Sequence, residues 1–155
     1  MPVPFLNTPF YRQHGNLLCQ SYQRFTGQSL LPNPLTHEEP IEALFAAPFA
    51  LLSHGIEADP IFNFGNQTAL TLFELTWAQL LQVPSRTSAE PLNQAERQRL
   101  LTRVTEQGYI DDYSGVRISA TGRRFLIRAA IVWNLIDAQG QYQGQAAVFD
   151  QWCFL

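Results

Sequence analysis

The chain has 155 residues and a mass of 17.6 kDa, which suits one folded domain whose core needs no disulfide or metal. Hydrophobic residues make up 46% and charged residues 15%, a composition that excludes a disordered chain and a charge-rich coiled coil. The net charge is −3 and all 10 basic residues are arginine, so the sequence does not favour a nucleic-acid partner. Its apolar stretches are too short to span a bilayer and its N-terminus lacks a signal pattern, so we expect no membrane contact and a cytoplasmic location.

The first part of the chain is predicted to be an arm followed by helices. Three prolines within residues 1–10 favour an extended arm. Apolar positions at helical spacing predict a helix over residues 11–25, which Gly27 ends. A capping-box pattern at residues 36–39 predicts a second, short helix that Pro48 closes.

A hairpin and three helices are predicted next. Residues 49–53 and 61–64 are apolar runs joined by a turn, which is typical of two paired strands. Asn66 is a candidate N-cap for the helix that follows, and Thr76 is a candidate N-cap for another short helix. A capping-box pattern at the head of residues 93–106 predicts that a longer helix begins there.

Three strand-like runs complete the chain, at residues 109–119, 123–136 and 141–149. The short Gly-containing turns between them predict antiparallel pairing. The middle run is apolar on both faces, and simple alternation places Phe125 and Trp133 on the same face. Both faces of the sheet therefore need a cover. We expect the helices after the first hairpin to cover one face, and the N-terminal helices or a partner subunit to cover the other.

Several passages of the sequence resemble known domains. Residues 61–66 followed by 69–75 resemble the passage of a PAS domain in which the second strand enters a capped helix. More specifically, the chain is similar to the MEKHLA group of PAS-like domains, in a stand-alone, bacterial-style form. Five separated passages carry this similarity: residues 53–60, 84–91, 111–119, 132–135 and 144–149. The six letters that name the group do not occur as a string. The homeodomain and leucine zipper of its plant members are not found in the sequence either, so a role in transcription does not transfer.

The resemblance implies an α+β fold, with a five-stranded antiparallel sheet, short helices on one face and an N-terminal helical extension. We expect residues 1–47 to form the arm and capping helices and residues 48–155 the PAS-like domain, within one globular unit. The implied function is a sensory module that binds a small organic molecule. It would signal through a partner, or through a homodimer contact made by the outer sheet face and the N-terminal helices. Two alternatives stay open: a pure homodimerisation module with a filled core, and a small acid/base enzyme using His54 with a nearby carboxylate.

The sequence does not favour a prosthetic group or a metal. A flavin adduct in this superfamily requires a cysteine on the helix after the second strand, and residues 67–73 contain none. A flavin-adduct photoreceptor is therefore excluded. Haem is not expected, because the only histidine of the PAS-like part is His54, which is predicted to lie in a turn. His54, Glu57 and Asp59 do not have a recognised zinc spacing, so no metal is expected.

Six residues of the right chemical type are candidates for binding a ligand between helices and sheet. They are His54, Asn63, Arg86, Arg117, Trp133 and Asn134. Arg86 can bind an acidic ligand or pair with Glu90, and Arg117 can instead form a surface ion pair across its hairpin. Trp133 can be a core residue. Asn134 lies on the doubly apolar strand, where a buried amide needs a partner that a ligand can supply.

Overall fold

The computed structural model describes residues 4–32 and 39–155. The chain enters through a 3₁₀ turn, Pro4–Leu6, and helix α1 spans Pro9–Thr26. The extended arm predicted for residues 1–10 is therefore wrong from Pro4 onwards, and residues 1–3 lie outside the described part. Helix α1 begins early because the Thr8 hydroxyl accepts a hydrogen bond from the Tyr11 amide at 3.2 Å, and a proline is tolerated in the first turn.

Helix α2, Pro40–Phe45, packs against α1. The two helices meet at Gly15, where a Cβ atom would lie 2.7 Å from the Ile41 backbone nitrogen. This close approach leaves no room for a side chain, so the position requires glycine. Three residues of the capping box predicted at 36–39 lie outside the described part, and the fourth, Glu39, makes no side-chain cap bond.

One antiparallel sheet forms the centre of the molecule, in the order β2-β1-β5-β4-β3. The strands are β1 (Ala50–His54), β2 (Phe62–Gly65), β3 (Tyr109–Ile118), β4 (Arg124–Ile136), β5 (Tyr142–Phe149) and β6 (Gln151–Phe154). Strand β6 continues β5 along β4 in the same register, since Trp133 pairs with Ala146 and Ile127 with Trp152. The predicted sheet of five strands is confirmed, with the last strand longer than expected and interrupted at Asp150.

Three helices connect the first hairpin to β3, namely α3 (Gln67–Phe73), α4 (Trp77–Leu80) and α5 (Pro91–Gln107). The predicted caps Asn66 and Thr76 are confirmed, because each side chain accepts from a backbone amide of the first turn. The predicted cap at Asn93 is wrong. Asn93 lies inside the first turn of α5, where its amide donates to the Glu90 carbonyl at 2.8 Å. The helix begins earlier because Pro91 fits its first position.

Helices cover both faces of the sheet. Helices α3 and α5 lie on what we call the inner face, and α1 lies on the outer face. The β4 side chains do not alternate simply, because Ala129 has a positive φ of 53° at a break in the β3–β4 register. This bulge places Phe125 on the inner face against Phe73, whereas Trp133 lies on the outer face against Tyr22. The expectation that Phe125 and Trp133 share a face is therefore wrong.

None of the helices in the described ranges is both long enough and apolar enough to cross a bilayer.

Candidate functional site

A cavity of about 80 Å³ lies between the inner face of the sheet and the helices. Strands β1, β3, β4 and β5 form its floor, and α3, α5 and the 3₁₀ helix Ser85–Ser88 form its roof. Most of the wall is apolar and includes Leu52, Phe62, Phe73, Leu100, Ile127, Val132 and Phe149. A mostly apolar lining with a few placed polar groups is the usual lining of a small-molecule site.

Two arginines line this cavity although each is only 7% exposed. Arg97 reaches it from α5 and donates to the Ser85 hydroxyl at 2.5 Å. Arg117 reaches it from β3, donates to the Val116 carbonyl at 2.8 Å and lies over the Tyr113 ring, 5.3 Å from its centre. These contacts hold both planar guanidinium groups in place, but they use few of their donors.

Within the part of the chain that the structure describes, no carboxylate forms an ion pair with either cavity arginine. Ion pairs in residues 4–32 and 39–155 join Arg86 to Asp59 and Arg124 to Glu90, and neither involves a cavity arginine. Burial lowers the pKa of Arg97 to about 10, and the nearby charge of Arg117 acts in the same direction. The charge of Asp59 acts in the opposite direction but does not offset the burial of the guanidinium group, since Asp59 lies outside ion-pair distance of Arg97.

His54, at the end of β1, contributes an imidazole nitrogen with no partner. Its Nδ1 lies 3.0 Å from the Gly55 carbonyl, so Nδ1 carries the proton and Nε2 presents a lone pair. Within the described residues this buried Nε2 has no hydrogen-bond partner. Burial is the largest effect on the pKa of His54 and lowers it, and the charge of Arg97 acts in the same direction. The Gly55 carbonyl, the charge of Glu57 and the Gln145 amide act against burial without outweighing it, so the ring is neutral at pH 7. The site therefore combines fixed cations with a neutral acceptor.

The amides of Asn134 and Gln145 form a polar contact next to the cavity. Asn134 donates to the Val104 carbonyl at 3.0 Å, and its Oδ1 lies 3.1 Å from Gln145 Nε2. Gln145 Nε2 also lies 3.1 Å from the Leu101 carbonyl and 3.0 Å from the Thr105 hydroxyl. The buried amide of Asn134 thus finds its partners on α5 and on β5. These bonds attach the second half of α5 to the sheet.

The structure brings together two of the six predicted ligand residues, His54 and Arg117. Asn63 instead accepts from the Ser53 hydroxyl at 2.5 Å, on the side of the sheet that α1 covers. Trp133 lies under α1 on the outer face. Arg86 is half exposed and pairs with Asp59 at 3.1 Å, which is neither of the two partners considered from the sequence.

Sequence reasoning missed Arg97, Ser85, Tyr113 and Gln145, which all line the cavity. Arg97 had a usable signal. It precedes Leu100 by three residues and Val104 by seven, so it lies on the buried stripe of α5. A charged residue on such a stripe points into the interior.

The geometry around His54 does not match the predicted acid/base pair. A general base needs a carboxylate to orient its imidazole, whereas Nδ1 of His54 faces a backbone carbonyl. Within residues 4–32 and 39–155, no three His, Cys, Asp or Glu side chains lie together in a group that could hold a metal ion.

The fold is that of the PAS class, as comparison with solved structures shows. The PAS domain of a protein from Colwellia psychrerythraea has a TM-score of 0.58 at 15% identity, covering 69% of this chain and 88% of that one. The light-state dimer of the fungal blue-light photoreceptor Vivid has a TM-score of 0.60 at 14% identity, covering 96% and 98%. Within this class, the family model of the MEKHLA domain matches residues 12–154. The chain belongs to the MEKHLA domain family, and the resemblance seen in its sequence is confirmed.

Curated relatives of the chain are plant homeobox-leucine zipper proteins. It is 29% identical over 129 residues to HOX29 of Oryza sativa subsp. japonica, covering 79% of this chain and 14% of that protein. It is 24% identical over 151 residues to ATHB-15 of Arabidopsis thaliana, covering 97% and 18%. The chain therefore spans less than a fifth of the length of these relatives.

Proposed function

We propose that this chain is a sensory module of the cytoplasm that binds a small organic molecule in the cavity and signals through a partner or a homodimer contact. The single observation that carries the proposal is the polar lining of the cavity. Among the described residues, two buried arginines that form no ion pair and one buried imidazole nitrogen without a hydrogen-bond partner line the same cavity. Groups of this kind are expensive to bury unless something else completes them.

The same observation argues against a module with a filled core. A domain that only dimerises has no need of charged groups inside, and apolar residues of similar volume are as stable as a buried ion pair or more stable. Here Arg97 and Arg117 are held by specific bonds around a space of about 80 Å³. A ligand gives these residues a role that packing alone does not.

Signalling requires that occupancy of the cavity changes an outer surface. His54 and Ser53 are neighbours in β1, so their side chains lie on opposite faces of the sheet. The Ser53 hydroxyl lies 2.9 Å from Nε2 of His14 on α1, and both Ser53 and His54 are among the residues that line the cavity. A ligand that favours one position of His54 would shift the population of α1 arrangements on the outer face. Helix α1 and the outer face are the proposed contact surface.

Native mass spectrometry of the purified chain, with a thermal-shift screen of metabolites, tests ligand binding. A ligand at one hundred times its Kd adds about 2.7 kcal/mol, which is a shift of roughly 5 to 10 °C for a chain of this size. Ala130 lines the cavity and is 2% exposed, so Ala130→Leu should fill part of the space and reduce the shift. Ala120→Leu, at an exposed site, is the matched control.

The proposal fails if no metabolite shifts the wild-type midpoint, or if Ala130→Leu and Ala120→Leu respond equally. Analytical ultracentrifugation with and without the ligand tests the signalling part of the proposal. We expect the association state, or the affinity for a captured partner, to change on ligand binding. An unchanged outer surface, measured by hydrogen exchange of α1, would contradict the signalling role.

A further inference from the structure

The two buried guanidinium groups indicate the charge of the ligand. Arg97 on α5 and Arg117 on β3 line the same cavity, and the charge of Arg117 helps to lower the pKa of Arg97. Each has one N–H bonded to a protein acceptor, the Ser85 hydroxyl and the Val116 carbonyl. Most donors of each group therefore have no protein acceptor within the described residues. Planar guanidinium donors match a carboxylate better than any neutral group.

The carboxylates near this pair are already engaged elsewhere. Asp59 binds the exposed Arg86 at 3.1 Å. Glu96 accepts from the Tyr113 hydroxyl at 3.4 Å. Among residues 4–32 and 39–155, none of the acidic side chains lies within ion-pair distance of a cavity arginine. An anionic ligand is therefore the simplest source of the missing charge.

His54 adds a second requirement, for a hydrogen-bond donor on the ligand. Its Nδ1 is next to the Gly55 carbonyl and its buried Nε2 has no partner, so the cavity offers an acceptor at this point. A hydroxyl group satisfies it, whereas a carboxylate oxygen does not. The volume of about 80 Å³ sets the size. A space of this volume holds about three to six non-hydrogen atoms.

We propose that the cavity binds a short hydroxycarboxylate of the size of lactate. Its carboxylate lies between Arg97 and Arg117, its hydroxyl donates to Nε2 of His54, and its carbon chain packs on the apolar wall that includes Leu100 and Val132. This inference rests on the proposed function and names the ligand class of that same cavity.

Isothermal titration calorimetry of the full chain at pH 7.5 tests the inference with four probes: L-lactate, propionate, propane-1,2-diol and inorganic phosphate. We expect lactate to bind saturably, and propionate, which lacks the hydroxyl, to bind about tenfold more weakly. Propane-1,2-diol lacks the carboxylate and should bind at least a hundredfold more weakly. Phosphate distinguishes a general oxyanion site from a carboxylate site. The inference is overturned if the diol matches lactate, if phosphate binds more tightly than lactate, or if lactate does not saturate.

Substitutions of the cavity residues test the two proposed contacts, that of the ligand carboxylate with the arginines and that of the ligand hydroxyl with His54. Arg97→Gln and Arg117→Gln should each weaken lactate binding at least tenfold, while the exposed Arg128→Gln should leave it unchanged. His54→Leu should make lactate and propionate bind equally. Equal lactate affinity in wild type and either cavity variant would overturn the assignment. Because the four-probe comparison uses the wild-type chain, it decides the question even where a variant does not fold.

The failure of this inference differs from failure of the proposed function. If lactate does not bind but native mass spectrometry finds another small molecule in the cavity, the ligand class is wrong and the sensory module stands. If no small molecule of any class binds, both are overturned.

Discussion

The stability of the folded chain should fall steeply in mild acid because of one buried histidine. His14 on α1 is 3% exposed and lies 2.9 Å from the Ser53 hydroxyl. The Ser53 proton goes to Asn63 Oδ1, so Nε2 of His14 carries a proton and donates to Ser53. Burial lowers the pKa of His14 from 6.5 to about 4. The folded chain thus holds a neutral imidazole at a pH where the unfolded chain is charged.

The sign and size of the effect follow from proton linkage. Above pH 6.5 both states are neutral, and the contribution of His14 to stability is fully present. As the pH falls from 6.5 to 4 the unfolded chain takes up a proton that the folded chain does not, so the free energy of unfolding decreases. The loss should reach about 2.5 kcal/mol by pH 4.5, a large part of the total of roughly 5 to 15 kcal/mol for a domain.

Urea-induced unfolding followed by tryptophan fluorescence between pH 7.5 and 4.5 measures this loss. His14→Gln keeps a donor for Ser53 and removes the titrating group. The variant should therefore lose about 2.5 kcal/mol less than wild type over this range. The pKa of His54 is also lowered by burial, so some loss remains, and His54→Gln identifies it. Parallel pH profiles for wild type and His14→Gln would refute the reasoning.

Three further predictions concern packing and reactivity. Asn66→Ala removes four hydrogen bonds of 2.7 to 3.1 Å from a fully buried side chain, and should lower the free energy of urea unfolding by about 3 to 5 kcal/mol. Gly144→Ala would place a Cβ 2.0 Å from the His54 carbonyl, so its thermal midpoint should fall far more than that of Gly140→Ala, which meets nothing within 4 Å. Burial raises the pKa of Cys19 to about 11, so Ellman's reagent at pH 8 should modify the exposed Cys153 first; equal rates would contradict this.

Much of the fold is predictable because its signals are local. Asn66 and Thr76 each stand directly before the first residue of the helix that they cap. Gly27 ends α1 with a φ of 73°, a left-handed conformation that glycine adopts readily. The strands follow from apolar runs between turns. The PAS-like order of strands came from the resemblance of several passages and not from these patterns, which do not determine which strands pair.

Less of the site was predictable, because its residues meet only through tertiary structure. Arg97, Arg117 and His54 come from a helix and two strands that do not pair with each other. Arg86 and Arg97 have the same side chain, yet one is half exposed on an ion pair and the other is buried. Arg97 is buried because it lies on the side of helix α5 that faces the sheet, whereas Arg86 lies outside that helix.

Strand β1 pairs in regular register with β5, which includes His54 opposite Gln145, and irregularly with β2. In the pairing with β2 the register shifts between Ser53 and His54, and Asn63 is the extra residue. On the other side, the register of β4 and β5 shifts beside Gly144, whose backbone comes so close to the His54 carbonyl that only glycine fits. A bulge changes where a side chain points without changing the hydrophobic pattern. Alternation along β1 places the His54 side chain on the face opposite Ser53, but every position of β1 is buried, so the sequence pattern could not show which of its faces lines the cavity.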